Sequence, residues 1–248
     1  MPRIRTILTV LGLAITGVVS AQEDTPPPSD YLVPPQEIVE IVDAPPTPTA
    51  IVSPNRKTIA FIERRGAPPI QWLARTMHRL AGYRIDPRNS GPWNAPAIQA
   101  INLQPIRENN GTQFTLSPKT SILAPRGTSL GWPRFSPDGT YLSYAVIRDT
   151  GIELWAVDLS TGQPRPLTSA SLNATWGNPC EWLGDSSGVL CRFRMSARGA
   201  PPEKPEVPLG PNIQANDGQL STVRTYQDLL SNAHDKALFE YHLSLIHI

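Results

Sequence analysis

The sequence predicts an all-β fold: a partial β-propeller of about three blades, broken by helical insertions. Two observations carry this. Phe135 to Leu167 spell one whole blade, from Phe135-Ser136-Pro137-Asp138-Gly139 through strand, turn and strand to Ser160-Thr161-Gly162 and a last short strand. The opening of that blade is also echoed twice, by Ser53-Pro54-Asn55-Arg56 before Thr58–Ile62 and by Trp182–Gly188 before Val189–Cys191. Ser136 and Leu183 stand 47 residues apart, near the roughly 40–50 of one blade repeat.

The elements follow in chain order. Residues 1–21 read as an export signal, with Arg3 and Arg5 ahead of an apolar Ile7–Val19 core and a small-residue cleavage site at Val19-Ser20-Ala21. The core is short for a membrane span, which needs about 20 apolar residues. The expected location is therefore periplasmic or secreted, with no stable membrane span once the signal is cleaved. Residues 22–48 are proline-dense and are expected to be an extended leader.

Residues 49–242 are expected to hold the incomplete propeller. Ser53 and Ser136 are 83 residues apart, too far for one plain blade, so an insertion is expected in the first. Pro68-Pro69 followed by Ile70, Leu73, Met77, Leu80 and Ala81 predicts a helix there, closed by Gly82. Strands are expected at Ile98–Leu103 and Thr112–Leu116 around Asn109-Asn110-Gly111.

In the second blade Pro137-Asp138-Gly139 supplies a fixed φ, a side chain that bonds back to the backbone, and a left-handed position. Tyr141–Ile147 is aromatic and branched, and Ile152, Leu154 and Ala156 alternate with Glu153, Trp155 and Val157. Two largely apolar faces are what a blade needs between neighbours.

The proline-rich stretch from Ala200 to Pro211 reads as a loop. Tyr226, Leu229, Leu230, Ala233, Ala237, Leu238 and Tyr241 then predict a second helical insertion over residues 223–241. Leu243 to Ile248 match the translated end of a transposase adapter used in sequencing libraries. The chain is therefore expected to be a fragment, with an uncovered last blade that makes it poorly soluble.

Candidate chemistry is sparse. Gly127-Thr128-Ser129-Leu130-Gly131 fits a nucleophile elbow, but Trp132-Pro133 and a strand follow where a helix is required. His78, His234, His242 and His247 form no metal-spaced pair. Asp138, Asp149, Asp158 and Asp185 fall in or near turns, where a local role is the default. Arg64, Arg65, Arg75, Arg79 and Arg84 cluster around the first insertion, and a solvated face is favoured over a carboxylate-binding one. Cys180 and Cys191 flank one turn and could be a disulfide or two buried thiols. The net charge of +1 points to no nucleic acid. No catalytic, cofactor-binding or metal-binding residue is expected in this chain.

The order of signal, leader and Ser53-Pro54 blade resembles the prolyl oligopeptidase family of serine peptidases. So do the string Arg79-Leu80-Ala81-Gly82-Tyr83-Arg84-Ile85-Asp86-Pro87 and the stretch Gly131–Gly139. Within that family the likeness is to the glutamyl endopeptidase-like branch, which Val223–Leu230 also resembles, although Thr76 stands where a proline is expected. The resemblance implies a propeller that filters peptide substrates before a C-terminal α/β-hydrolase domain carrying Ser, Asp and His. That domain is not in these residues, so none of its catalytic groups maps onto them and no cofactor is implied. The competing reading is a non-enzymatic periplasmic propeller that binds protein partners. P1 preference, total blade number and oligomeric state are not legible.

Overall fold

The structure, a computed structural model, describes residues 34–109, 113–116, 120–207, 218 and 228–247; of 107–109, 113–116 and 245–247 the backbone alone is described. The expected export signal lies outside these residues. The chain divides into two units, residues 1–42 and 43–248.

The leader is not wholly extended. Helix α1 (Gln36–Asp43) occupies its second half, with none of its side chains buried. Its start is set by Pro35, whose carbonyl accepts from the N–H groups of Ile38 and Val39. Proline is tolerated in a first helical turn, and no other proline interrupts the eight residues that follow.

In the second unit, strands β1 (Thr49–Val52) and β2 (Thr58–Arg64) pair antiparallel. The chain then leaves the blade through α2 (Ile70–Leu73), β3 (His78–Leu80), β4 (Tyr83–Asp86) and β5 (Gly91–Pro92). It returns as β6 (Ile98–Asn109), which pairs antiparallel with β2 and also carries β7 (Gln113–Leu116) and β8 (Thr120–Leu123). The second blade is β9 (Ser129–Phe135), β10 (Tyr141–Ile147), β11 (Ile152–Asp158) and β12 (Pro164–Pro166), each antiparallel to the next. The third begins with β13 (Cys180–Trp182) and β14 (Val189–Arg194). After α3 (Ala233–Leu243), β15 (Leu245–His247) pairs antiparallel with β14. The fold is all-β with few helices, a partial propeller: the first two blades join into one sheet through the Ile98–Leu130 pair of β6 and β9, β13 to β15 form a second sheet, and β3 to β5 a small third one.

The first insertion corrects the sequence reading. Only Ile70–Leu73 is helical, a single turn started by Pro69. From His78 the chain forms a hairpin whose two connecting residues, Ala81 (φ 49°) and Gly82 (φ 83°), are both left-handed. A two-residue turn of that kind matches the twist of its strands. Leu80, the supposed end of a helical stripe, packs instead with Ile85 and Leu238. The late insertion is helical over Ala233–Leu243, where the Asn232 side chain caps the start by accepting from the Asp235 N–H at 2.8 Å. Residues 223–227, which begin that expected helix, lie outside the described ones.

Burial explains why the second blade sits where it does. Leu142, Tyr144, Val146 and Val157 face Ala60, Ile62, Ile98, Ile101 and Ile122 of the first blade. Ala145, Ile147, Ile152 and Leu154, on the opposite face, meet Leu172, Ala174, Cys180 and Cys191 of the third. The register puts Ala145 opposite Leu154 and Leu142 opposite Val157, so cross-strand partners share a face. Each fully buried aliphatic side chain contributes roughly 1.5–3 kcal/mol. One strand pair thereby fastens both neighbours.

Candidate functional site

The blades have two unlike ends. At one, the three echoed turns meet. Asn55 Nδ2 donates to the carbonyls of Asp138 (3.2 Å) and Gly139 (2.7 Å), and the Asp138 N–H donates to Ser186 Oγ at 3.0 Å. Each turn is also closed within itself. Ser53 Oγ accepts from the Thr58 N–H, Ser136 Oγ accepts from the Tyr141 N–H, and Ser187 Oγ donates to Asp185. The Ser136 hydroxyl, with the N–H and hydroxyl of Thr140, holds the Asp138 carboxyl down at about 2. Asp158 and Asp185 are lowered likewise, first by the Ser160 and Ser187 hydroxyls. The default structural reading of Asp138, Asp158 and Asp185 therefore has a physical basis in these bonds.

Beside these turns lies a groove of about 1020 Å³ between the first and second blades, with Arg56 and Lys57 on one side and Tyr141 and Asp158 on the other. It is roomy enough for an extended segment of chain, and it offers charges of both signs.

At the other end the first insertion is clamped onto the second blade. Arg75 Nη2 meets Asp149 Oδ1 at 2.7 Å and Arg75 Nη1 meets Asp86 Oδ2 at 3.7 Å. Arg88 forks onto Asp86 at 3.2 and 3.3 Å, and the bond to that carboxylate raises its pKa. Arg75 also stacks on Trp72 at 5.1 Å, while Asn89 Nδ2 donates to the Arg148 carbonyl. Arg148 in turn forks onto Glu153, which lowers the Glu153 pKa. The cavity enclosed by Trp72, Arg75, Trp93 and Ser129 is about 10 Å³, space for no more than one water. Arg75 is thus paired with Asp149 and Asp86 rather than solvated, a correction to the solvated face expected of the arginine cluster. Arg64, Arg65 and Arg79 are exposed, and Arg84 reaches Asp228 only at 4.0 Å.

The remaining candidates are scattered. Ser129 is buried at the head of β9, so strand, not helix, follows the apparent elbow. His78 lies on β3 rather than on a helix, and it comes within 5.4 Å of His242 on α3, a proximity that sequence spacing could not reveal. His234 is also on α3; of the side chain of His247 nothing is described. Cys180 and Cys191 are directly opposed across β13 and β14 and are disulfide-bonded. Among the described residues no group of three His, Cys, Asp or Glu is placed to hold a metal.

Comparison with known proteins adds what the geometry alone does not say. The chain is 36% identical over 223 residues to a rice protein (Oryza sativa subsp. japonica) named "Probable glutamyl endopeptidase, chloroplastic". It is 36% identical over 224 residues to an Arabidopsis thaliana protein of the same name. Each match covers 86% of this chain. Over most of its length this chain is therefore similar in sequence to proteins named glutamyl endopeptidase. It spans 23% of the length of either relative. Among solved structures, the acylaminoacyl peptidase of Pyrococcus horikoshii overlays loosely, with a TM-score of 0.32, 14% identity and coverage of 62% of this chain and 18% of that one. A TolB-like protein of Agrobacterium tumefaciens has a TM-score of 0.26 at 15% identity, covering 62% and 56%. No protein-family model matches the chain.

Proposed function

We propose that this chain is the propeller portion of an exported serine peptidase and gates peptide access to a catalytic hydrolase domain encoded outside these 248 residues. The reaction of the whole protein is peptide-bond hydrolysis by a serine activated by histidine, with its tetrahedral intermediate held in an oxyanion hole. The observation that carries this reading is the 36% identity to glutamyl endopeptidases across 86% of the chain. The chain's own part is to bind and admit peptide and to seat the hydrolase domain. Its own residues carry no bond-breaking step: Ser129 is sealed at the start of a strand with no helix behind it.

Sequencing the source locus through Leu243 to its stop codon, then expressing the whole frame, tests the proposal. The frame is expected to run into a G-x-S-x-G strand-to-helix turn followed by Asp and His. A fluorophosphonate probe should label that whole protein and not the 248-residue chain, and Ser129→Ala should leave labelling unchanged. A frame that closes the propeller and stops without an elbow serine overturns the proposal and leaves a binding module of the exported envelope kind.

A further inference from the structure

A second cluster has no part in the gating proposal. His242 is 1% exposed and among the described residues neither ring nitrogen has a hydrogen-bond partner, and Arg198 Nη1 is likewise buried without one. The ring of His242 lies 5.4 Å from that of His78 and edge-on to Tyr241 at 5.1 Å, and the Arg198 guanidinium lies 4.4 Å over the same Tyr241. The helix end is fixed in place, because the His242 carbonyl accepts from Asn173 Nδ2 at 2.9 Å. The Arg198 Nη2 donates to Ser90 Oγ, and Arg194 donates to the Ala170 carbonyl.

The charge balance is the deciding feature. The groups gathered here are His78 on β3, His234, Tyr241 and His242 on α3, Arg194 on β14 and Arg198 just beyond it. No ion pair among the described residues gives Arg194 or Arg198 a carboxylate. Burying guanidinium and imidazole donors without an acceptor is costly, and the cost falls when a counter-charge is bound. A cation would worsen the imbalance.

We propose that a small inorganic anion of halide size binds where α3, β3 and the segment after β14 meet, held by the His242 ring and Arg198 Nη1. Unaided burial and the nearby His78 and Arg198 push His242 down to about 4. Without an anion, the unfolded histidine takes up its proton first, so stability falls as pH drops from about 6.5 toward 4. A bound anion stabilises the protonated ring and opposes that fall.

The test is thermal unfolding of the whole chain in chloride against gluconate at equal ionic strength. Chloride should raise Tm by a few degrees, the gap should widen from pH 7 to pH 5, and His242→Phe should abolish it, with Arg198→Gln reducing it. Crystals of the unmutated chain grown in bromide should show an anomalous peak between His242 and Arg198, a readout that needs no variant to fold. Equal melts in the two salts, a gap that survives His242→Phe, or water alone at that position in bromide overturns the proposal.

Discussion

The second and third blades are built from the same turn and strand pattern, yet they are held by different means. The second is buried on both faces: Leu142 and Ile152, on opposite sides of it, are each fully buried. The third presents one face to the second through Cys191, Val189 and Phe193, while Leu190 on the other face is 49% exposed. It also carries the Cys180–Cys191 bridge across its hairpin. That covalent link ties β13 to β14 whatever lies on the outer face of the hairpin.

The largest expected effect separates the two blades. Leu142→Ala should cost about 2–5 kcal/mol of unfolding free energy by urea titration, since it leaves a cavity in a closed interface. Leu190→Ala should stay within about 1 kcal/mol, because half of that side chain is already in water. Comparable losses at the two positions would mean that the third blade's outer face is covered in solution. Next in size is the bridge. Replacing Cys180 and Cys191 together with alanine should cost about 2–4 kcal/mol, and a reductant should lower the Tm of the unmutated chain only.

Smaller effects belong to the tight-turn end. Asn55→Ala removes the bonds to the Asp138 and Gly139 carbonyls and should cost about 1 kcal/mol, read from the denaturation midpoint. Asp138 gives a pH signature. Its folded pKa, about 2, lies below its unfolded value, so its contribution is present above pH 4 and is lost as pH falls toward 2. Asp138→Asn should flatten that arm of the pH–stability profile. An unchanged acid arm would show that the Ser136–Asp138–Thr140 bonds do not persist in solution.

Legibility followed the range of the interactions. Tyr141–Ile147 and the turn before it could be read directly because alternation and turn chemistry are local signals. The first insertion resists a sequence reading because Ile70, Leu73, Met77 and Leu80 happen to fit helical spacing, while the turn from β3 to β4 uses Ala81 in a left-handed conformation. Alanine carries no turn signal, being the strongest helix former. The leader helix was hidden by prolines that flank it rather than enter it. Of the candidate sites, the Arg75 clamp and the His78–His242 contact were invisible for one reason: their partners are brought together by tertiary packing. Arg75 and Asp149 are 74 residues apart in sequence, and no periodicity links them. That strand rather than helix follows Ser129 is legible in its neighbours Trp132 and Pro133 alone.

The bonds that join the three turns have a mechanical consequence. Asp138 is at once an acceptor for Asn55 and a donor to Ser186, so the middle turn cannot tilt without pulling both others. That end acts as the pin of a fan. At the far end the first insertion is clasped to the second blade by Arg75 and Asp149, so these two blades are tied at both ends.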